Sequence, residues 1–315
     1  MDEPLAIAVD ALIVTDDQGR VIEWNESAVQ VFGFKREEVL GRHLSRLFAS
    51  PPGEARPRSE AESQSWRKRI RAALSEERLL LAAQPVVDLR SGNVDRHELL
   101  LRMNLGNRLA KPAEFIGEAE RSGQIRDVDL WMVRRGVELA AIGPVAINVS
   151  ARSLDSELLL AEIANGIART GTNPERVTIE ITETAGAADL EQAAAWVARL
   201  TALGCRVSLD DFGTGYGAFT YLNRLAVCEL KIDREFVARV RHSEVDRRVV
   251  STIVAVGRSF GMTMVAEGVE DEETLVVLED LGVDLAQGYL FGRPEIVGEV
   301  WEPRPAQWKR PRAAP

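Results

Sequence analysis

Seven carboxylate or amide side chains interrupt or end short apolar runs in this sequence. Val145-Ala146-Ile147 ends in Asn148, and Val177-Thr178-Ile179 ends in Glu180. Val207-Ser208-Leu209 ends in Asp210 and Asp211, and Met264-Val265-Ala266 ends in Glu267. Glu98 stands four residues before Arg102, with three leucines between them. Leu285-Ala286 leads to Gln287, and Lys231 interrupts Leu230 and Ile232. Five carboxylates brought onto one face would strongly oppose each other's ionisation. Hard divalent cations resolve that conflict. Oxygen donors without His or Cys select Mg²⁺ or Mn²⁺ over Zn²⁺. Each acid taken alone has a plainer explanation, as a helix N-cap or a solvated turn residue. Lys231 is harder to dismiss, because a buried ammonium needs carboxylate partners. The glycine-rich run Gly213–Gly217 is no P-loop, since no Gly-Lys-Ser/Thr follows it. His43, His97 and His242 form no cluster and read as incidental.

These residues need elements to position them. Strand patterns are read at Leu79–Leu89, Val94–Met103, Pro144–Val149, Val177–Thr182, Arg206–Asp210, Val227–Ile232, Met262–Ala266 and Val283–Tyr289. Helical patterns are read near 112–121, 127–141, 154–169, 189–203, 244–259 and 271–281, after a first one carrying Trp66, Ile70 and Leu74. Leu203-Gly204, Phe260-Gly261 and Leu281-Gly282 each precede a strand, where glycine supplies a left-handed helix C-cap. About eight strands alternating with helices have the size of a (β/α)₈ barrel, whose C-terminal rim would gather the carboxylates. An open doubly wound sheet shows the same local signals, so periodicity leaves closure undecided.

The chain has 315 residues, 45% of them hydrophobic and 28% charged, with a formal net charge of −10. That composition fits a globular protein of roughly two domains, or one large barrel with an appendage. The acidic balance disfavours a DNA or RNA polymer as partner. Two cysteines, Cys205 and Cys228, make no disulfide scaffold, and a cytoplasmic setting is expected. No apolar run near the N-terminus is long enough for a signal peptide or a membrane span.

At the chemistry-bearing residues the sequence resembles the EAL-domain family of cyclic-di-GMP phosphodiesterases. The resemblance runs from about Ser63 to Pro294. It is carried by Gln84–Leu89, Glu98-Leu99-Leu100-Leu101-Arg102, Pro112–Ile116, Asn148-Val149-Ser150, Glu180–Glu183, Asp210–Tyr216, Lys231-Ile232-Asp233, Ala266–Glu270 and Gln287-Gly288-Tyr289. It implies a TIM-like (β/α)₈ barrel with one antiparallel strand near its start. It implies two Mg²⁺ or Mn²⁺ ions held by Glu98, Asn148, Glu180, Asp210 and Asp211, with Glu267 helping to hold the second. Lys231 would hold and polarise the attacking water or take its proton. Gln84, Leu100, Arg102 and Gln287 would line the nucleotide site. Glu183 and Glu270 would brace the loop beginning at Asp211, which the family uses for dimer contact. The implied reaction is hydrolysis of cyclic-di-GMP to linear 5′-phosphoguanylyl-guanosine, and a homodimer is expected. The competing reading is a catalytically inactive EAL-type receptor. Leu99 replaces the usual alanine, Met103 a common tryptophan, and Cys228 a common aspartate.

Residues 5–48 resemble the first half of a PAS sensor domain, with strands at Leu12–Val14 and Val21–Trp24 and a helical pattern through Val29, Phe32 and Val39. The later PAS strands are not found, so no haem or flavin is expected. The resulting division is a partial PAS-like α+β segment at 1–50, a linker at 51–62, the barrel at 63–300 and a flexible tail at 301–315.

Overall fold

The structure is a computed structural model. It describes residues 12–16, 20–32, 35–42, 59–182, 190–212, 222 and 224–308. Two strands come first, β1 (Ile13–Thr15) and β2 (Val21–Trp24), paired antiparallel with Ile13 opposite Trp24. Short helices follow at Glu26–Phe32 and Arg36–Val39. Val21, Trp24, Ala28 and Val39 form a small core separate from the main one. The Glu26–Phe32 helix lies against the Glu244–Ser259 helix of the larger unit.

The helix predicted around Trp66 spans Glu60–Ser75 and so begins inside the range read as linker. The reason is local. Ser59 caps the Glu62 backbone N–H while the Glu62 side chain accepts from the Ser59 N–H, a reciprocal capping box.

The barrel strands are β3 (Leu79–Asp88), β4 (Val94–Asn104), β6 (Val145–Val149), β7 (Val177–Thr182), β8 (Arg206–Phe212), β9 (Glu229–Ile232), β10 (Thr263–Ala266) and β11 (Leu285–Gln287). Two-residue strands β5 (Leu109–Ala110) and β12 (Glu295–Ile296) flank them. β4 and β6 to β11 run parallel in sequence order. β3 pairs antiparallel with β4 on one edge and with β11 on the other. That double pairing closes the sheet and decides between the barrel and the open alternative. β3 is the antiparallel strand that the resemblance implies.

Outward-facing residues of each strand, such as Leu99, Ile147, Ile179, Val207 and Leu230, join the helices in one core. Inside, Val86, Val265 and Leu285 form a separate apolar cluster. Gly204, Gly261 and Gly282 all adopt positive φ at the helix ends, as their placement predicts.

The tail differs from expectation over the part that is described. Trp301 and Trp308 are both buried. Trp301 packs edge-on against His97, and Trp308 packs edge-on against Phe291. His97 also lies 3.1 Å from the Arg304 carbonyl oxygen through Nε2. The segment thus packs on the outer side of β4 at His97 and against Phe291. Residues 309–315 lie outside the described residues.

Candidate active site

The site is organised around one ammonium. β9 carries Lys231 on its inward face, fully buried. Its Nζ lies 2.9 Å from Glu180, 3.3 Å from Asp210, 3.6 Å from Glu98 and 2.5 Å from Glu267. Burial alone would lower the Lys231 pKa. The surrounding carboxylates outweigh burial and hold it well above the usual lysine value. With the carboxylates around it, Lys231 is held as a cation and a hydrogen-bond donor.

Register places the acids around it. Asn148 on β6 stands beside Glu180 on β7, and Asp210 on β8 stands beside Thr182. Glu98 accepts from Asn148 Nδ2 at 2.7 Å and from Gln287 Nε2 at 2.7 Å. Gln287 Nε2 also donates to Gln84 Oε1 at 3.1 Å, and Gln84 donates to the Gly292 carbonyl at 3.0 Å. Burial raises the Glu98 pKa, but Lys231 and these donors outweigh it and keep the carboxyl below its ordinary range.

Two adjacent aspartates on one strand should face opposite sides. They do not, and the backbone explains it. The β8–β9 register shifts between Leu209 and Phe212, and Asp211 has a φ of 55°, in the left-handed region. A non-glycine residue held there is strained, and such strain concentrates at functional sites. The kink brings Asp211 to the Asp210 side, where Asp210, Asp211 and Glu267 offer oxygens all within 4.8 Å of one another.

Lys231 is a single cation facing several carboxylates, so negative charge is in excess. Burial, then Asp210, raises the Asp211 pKa to about 7. Burial raises Glu267 to about 8 against the pull of Lys231. Burial likewise lifts Glu180 well above the ordinary value, and its Oε1 makes no hydrogen bond to another protein group. Half-buried oxygen donors, short of positive charge and all on one rim, fit divalent cations.

Most of the sequence-predicted residues are thus brought together. Leu100 and Arg102 follow Glu98 on the same face of β4, half-buried, with Arg102 Nη1 donating to the Leu101 carbonyl at 2.7 Å. Glu270 is exposed in the segment after β10. Glu183 and the loop it would brace lie outside the described residues. Sequence reasoning missed two members of the interior. Arg96 on β4 and Glu229 on β9 are fully buried beneath the site. The signal was present, because Arg96, Glu98, Leu100 and Arg102 share one face at a spacing of two. It named Gly288 only as part of a motif and did not foresee its packing, where an added Cβ would lie 2.0 Å from the Val269 carbonyl oxygen. That contact locks Gln287 to the segment following Glu267.

Comparison with known proteins places this geometry. A family model described as PAS domain matches residues 9–86. Its last part, from residue 67, lies in the helix before the barrel and in β3. Among the described residues only β1 and β2 form a sheet outside the barrel. The cyclic di-GMP phosphodiesterase NbdA of Pseudomonas aeruginosa is 32% identical over 310 residues, covering 93% of this chain and 39% of NbdA. The cyclic di-GMP phosphodiesterase PdeF of Escherichia coli is 32% identical over 235 residues, covering 72% of this chain and 31% of PdeF. The chain spans well under half the length of either relative. The solved structure of the PaMucR phosphodiesterase in complex with c-di-GMP matches with a TM-score of 0.69 and 33% identity, over 73% of this chain and 97% of that one. A family model described as EAL domain matches residues 67–294, well over half the sequence, and the chain belongs to that family.

Proposed function

We propose that this protein hydrolyses cyclic-di-GMP to linear 5′-phosphoguanylyl-guanosine with two bound divalent cations, Mg²⁺ or Mn²⁺. The carrying observation is the complete acidic rim around Lys231, with no carboxylate or amide of the implied set replaced. Glu98, Asn148, Glu180 and Asp210 would hold one ion, and Asp210, Asp211 and Glu267 the other. Bound there, the cations would lower the pKa of a shared water and neutralise phosphoryl oxygens.

The chain's own residues supply the rest. Lys231 stays protonated, so it orients the attacking water by donating to its oxygen and offsets charge that develops in the transition state. Arg102, on the rim, holds a non-bridging phosphate oxygen by charge-assisted hydrogen bonds. Gln84 and Gln287 fix the inner wall of the nucleotide site. One water adds across one phosphodiester, its oxygen bonding to phosphorus while the 3′-oxygen leaves and takes a proton. A homodimer through the loop after Asp211 belongs to the same proposal.

The test is incubation of purified protein with cyclic-di-GMP and Mn²⁺. The expected product is the linear dinucleotide, abolished by EDTA. Nucleotide that binds but stays cyclic with Mn²⁺ present would overturn the enzyme reading in favour of a receptor.

A further inference from the structure

Beneath Glu180 the barrel holds a second group of buried charges that the proposed chemistry does not use. TIM-like barrels usually fill this level with branched apolar side chains. Here one side does so, through Val86, Val265 and Leu285. On the other side stand Arg96, two residues below Glu98 on β4, and Glu229, two residues below Lys231 on β9. Each is buried to 1% exposure or less.

Arg96 Nη2 donates to Glu229 Oε1, and Arg96 Nη1 donates to Asp95 at 2.8 Å. The same Nη2 lies 4.0 Å from Glu180 Oε1. Arg206 reaches Glu229 Oε2 from the barrel floor at 3.5 Å. The Glu180 carboxylate is therefore flanked by two cations, with Lys231 at 2.9 Å on Oε2 and Arg96 facing Oε1. Lys231 also serves three other carboxylates, so it cannot set the tilt of Glu180 alone. Stability gives no reason for the pair either, since apolar residues in place of a buried ion pair are often neutral or stabilising.

We infer that Arg96 and Glu229 form a positioning floor for Glu180. Arg96 draws on Oε1 from below and fixes the plane of the carboxylate. Glu229 holds the guanidinium in place under it. This inference rests on the proposed role of Glu180 as a metal ligand.

The test is the charge-neutral double variant Arg96→Met/Glu229→Met, compared with Arg96→Lys and the unaltered protein. Thermal unfolding is measured without metal, and Mn²⁺ binding by calorimetry without nucleotide. A positioning floor predicts an unfolding midpoint equal to or above that of the unaltered protein, with Mn²⁺ affinity weaker by about tenfold or more, the loss typical when groups behind a metal ligand are removed. Arg96→Lys keeps the charge and loses the planar fork, so its affinity should fall between the two. Mn²⁺ affinity within twofold of the unaltered protein in a folded double variant would overturn the inference. If the double variant does not fold, Arg96→Lys decides alone, and unchanged Mn²⁺ affinity in it overturns the inference. Because nucleotide is absent, a protein that binds Mn²⁺ normally yet leaves cyclic-di-GMP intact sinks the phosphodiesterase reading without touching this one.

Discussion

The barrel and the segment before it meet the same requirement, covering a sheet, in opposite ways. In the barrel every strand is paired on both edges, and apolar outer faces are sealed by helices and by the Trp301–Trp308 segment. In the N-terminal segment, among the described residues, β1 and β2 form a two-stranded sheet over a core of four buried side chains. The difference decides what each region can carry. A large closed core can absorb the cost of burying Lys231, Glu180, Arg96 and Glu229. A two-stranded sheet is marginal even without such a burden. Function that needs buried charge therefore belongs in the barrel.

The hardest test of that division is Lys231→Ala. It removes a cation shared by four carboxylates and should lower kcat by about 10²–10³-fold, with nucleotide binding largely kept. The stranded acids should also lower the unfolding midpoint in the absence of metal, with recovery as Mn²⁺ is added. Glu98→Ala should fail differently. Its loss weakens metal affinity, so high Mn²⁺ should restore part of the activity. Equal rescue of both variants by Mn²⁺ would show that water orientation and ion holding are not divided between these residues.

A smaller change should still be costly inside the barrel. In Gly288→Ala the new methyl group meets the Val269 backbone oxygen at 2.0 Å and nitrogen at 2.3 Å, and neither can rotate away. The expected loss is about 3 kcal/mol in thermal unfolding. A fall in kcat/KM should accompany it, because Gln287 and Glu267 shift together. An unchanged midpoint would mean that the segment 267–270 is more adaptable than its packing indicates.

Asp129 tests the same tolerance one layer further out. It sits buried on the helix Ile125–Ala140, accepting from Ser153 Oγ at 2.6 Å and from the Ser150 N–H at 3.2 Å. Burial nevertheless raises its pKa from 3.8 to about 7. The folded state thus keeps a proton that the unfolded chain gives up. The stability this contributes is fully present below about pH 4, is lost progressively as pH rises to about 7, and is flat beyond. Asp129→Asn should flatten that slope, by at most about 4 kcal/mol across the window. Parallel midpoint-against-pH curves for the two proteins would show that another group sets the slope.

How well each region could be read follows from the same contrast. Barrel strands are apolar by necessity, so Glu180, Lys231 and Asp210 stand out against them. The bulge that turns Asp211 toward Asp210 leaves no such trace, because it is a backbone event between strands far apart in sequence. Arg96 was legible in principle, at a spacing of two from Glu98, but its meaning depends on Glu229, which is 133 residues away. The Trp301–Trp308 segment has no periodicity at all. Its order comes from contacts with His97 and Phe291, which proline-rich sequence does not announce. Strands β5 and β12 are two residues long, too short for any pattern to form.

The smallest expected effect lies in the N-terminal segment and gives the sharpest form of the comparison. Trp24 is fully buried in the local core, yet that core is separate from the barrel's. Trp24→Ala should loosen β1 and β2 and leave the barrel's unfolding midpoint where it was. Deletion of residues 1–58, which keeps Ser59 as the cap of the Glu60–Ser75 helix, should do the same. A contact to lose is that between the Glu26–Phe32 and Glu244–Ser259 helices. The second of these follows β9, the strand carrying Lys231, so a regulatory effect would show as a change in activity at constant barrel stability. Val14, Ile22 and Leu40 are exposed on the segment, and exposed apolar side chains grouped on a small sheet invite a partner. The number of copies per particle in solution should therefore fall on deletion if this surface joins two copies, and absorbance should show no chromophore before or after. A deletion that leaves the oligomeric state and activity both unchanged would remove any regulatory role for the segment. A deletion that unfolds the barrel would break the comparison itself, since it would make the two regions one cooperative unit.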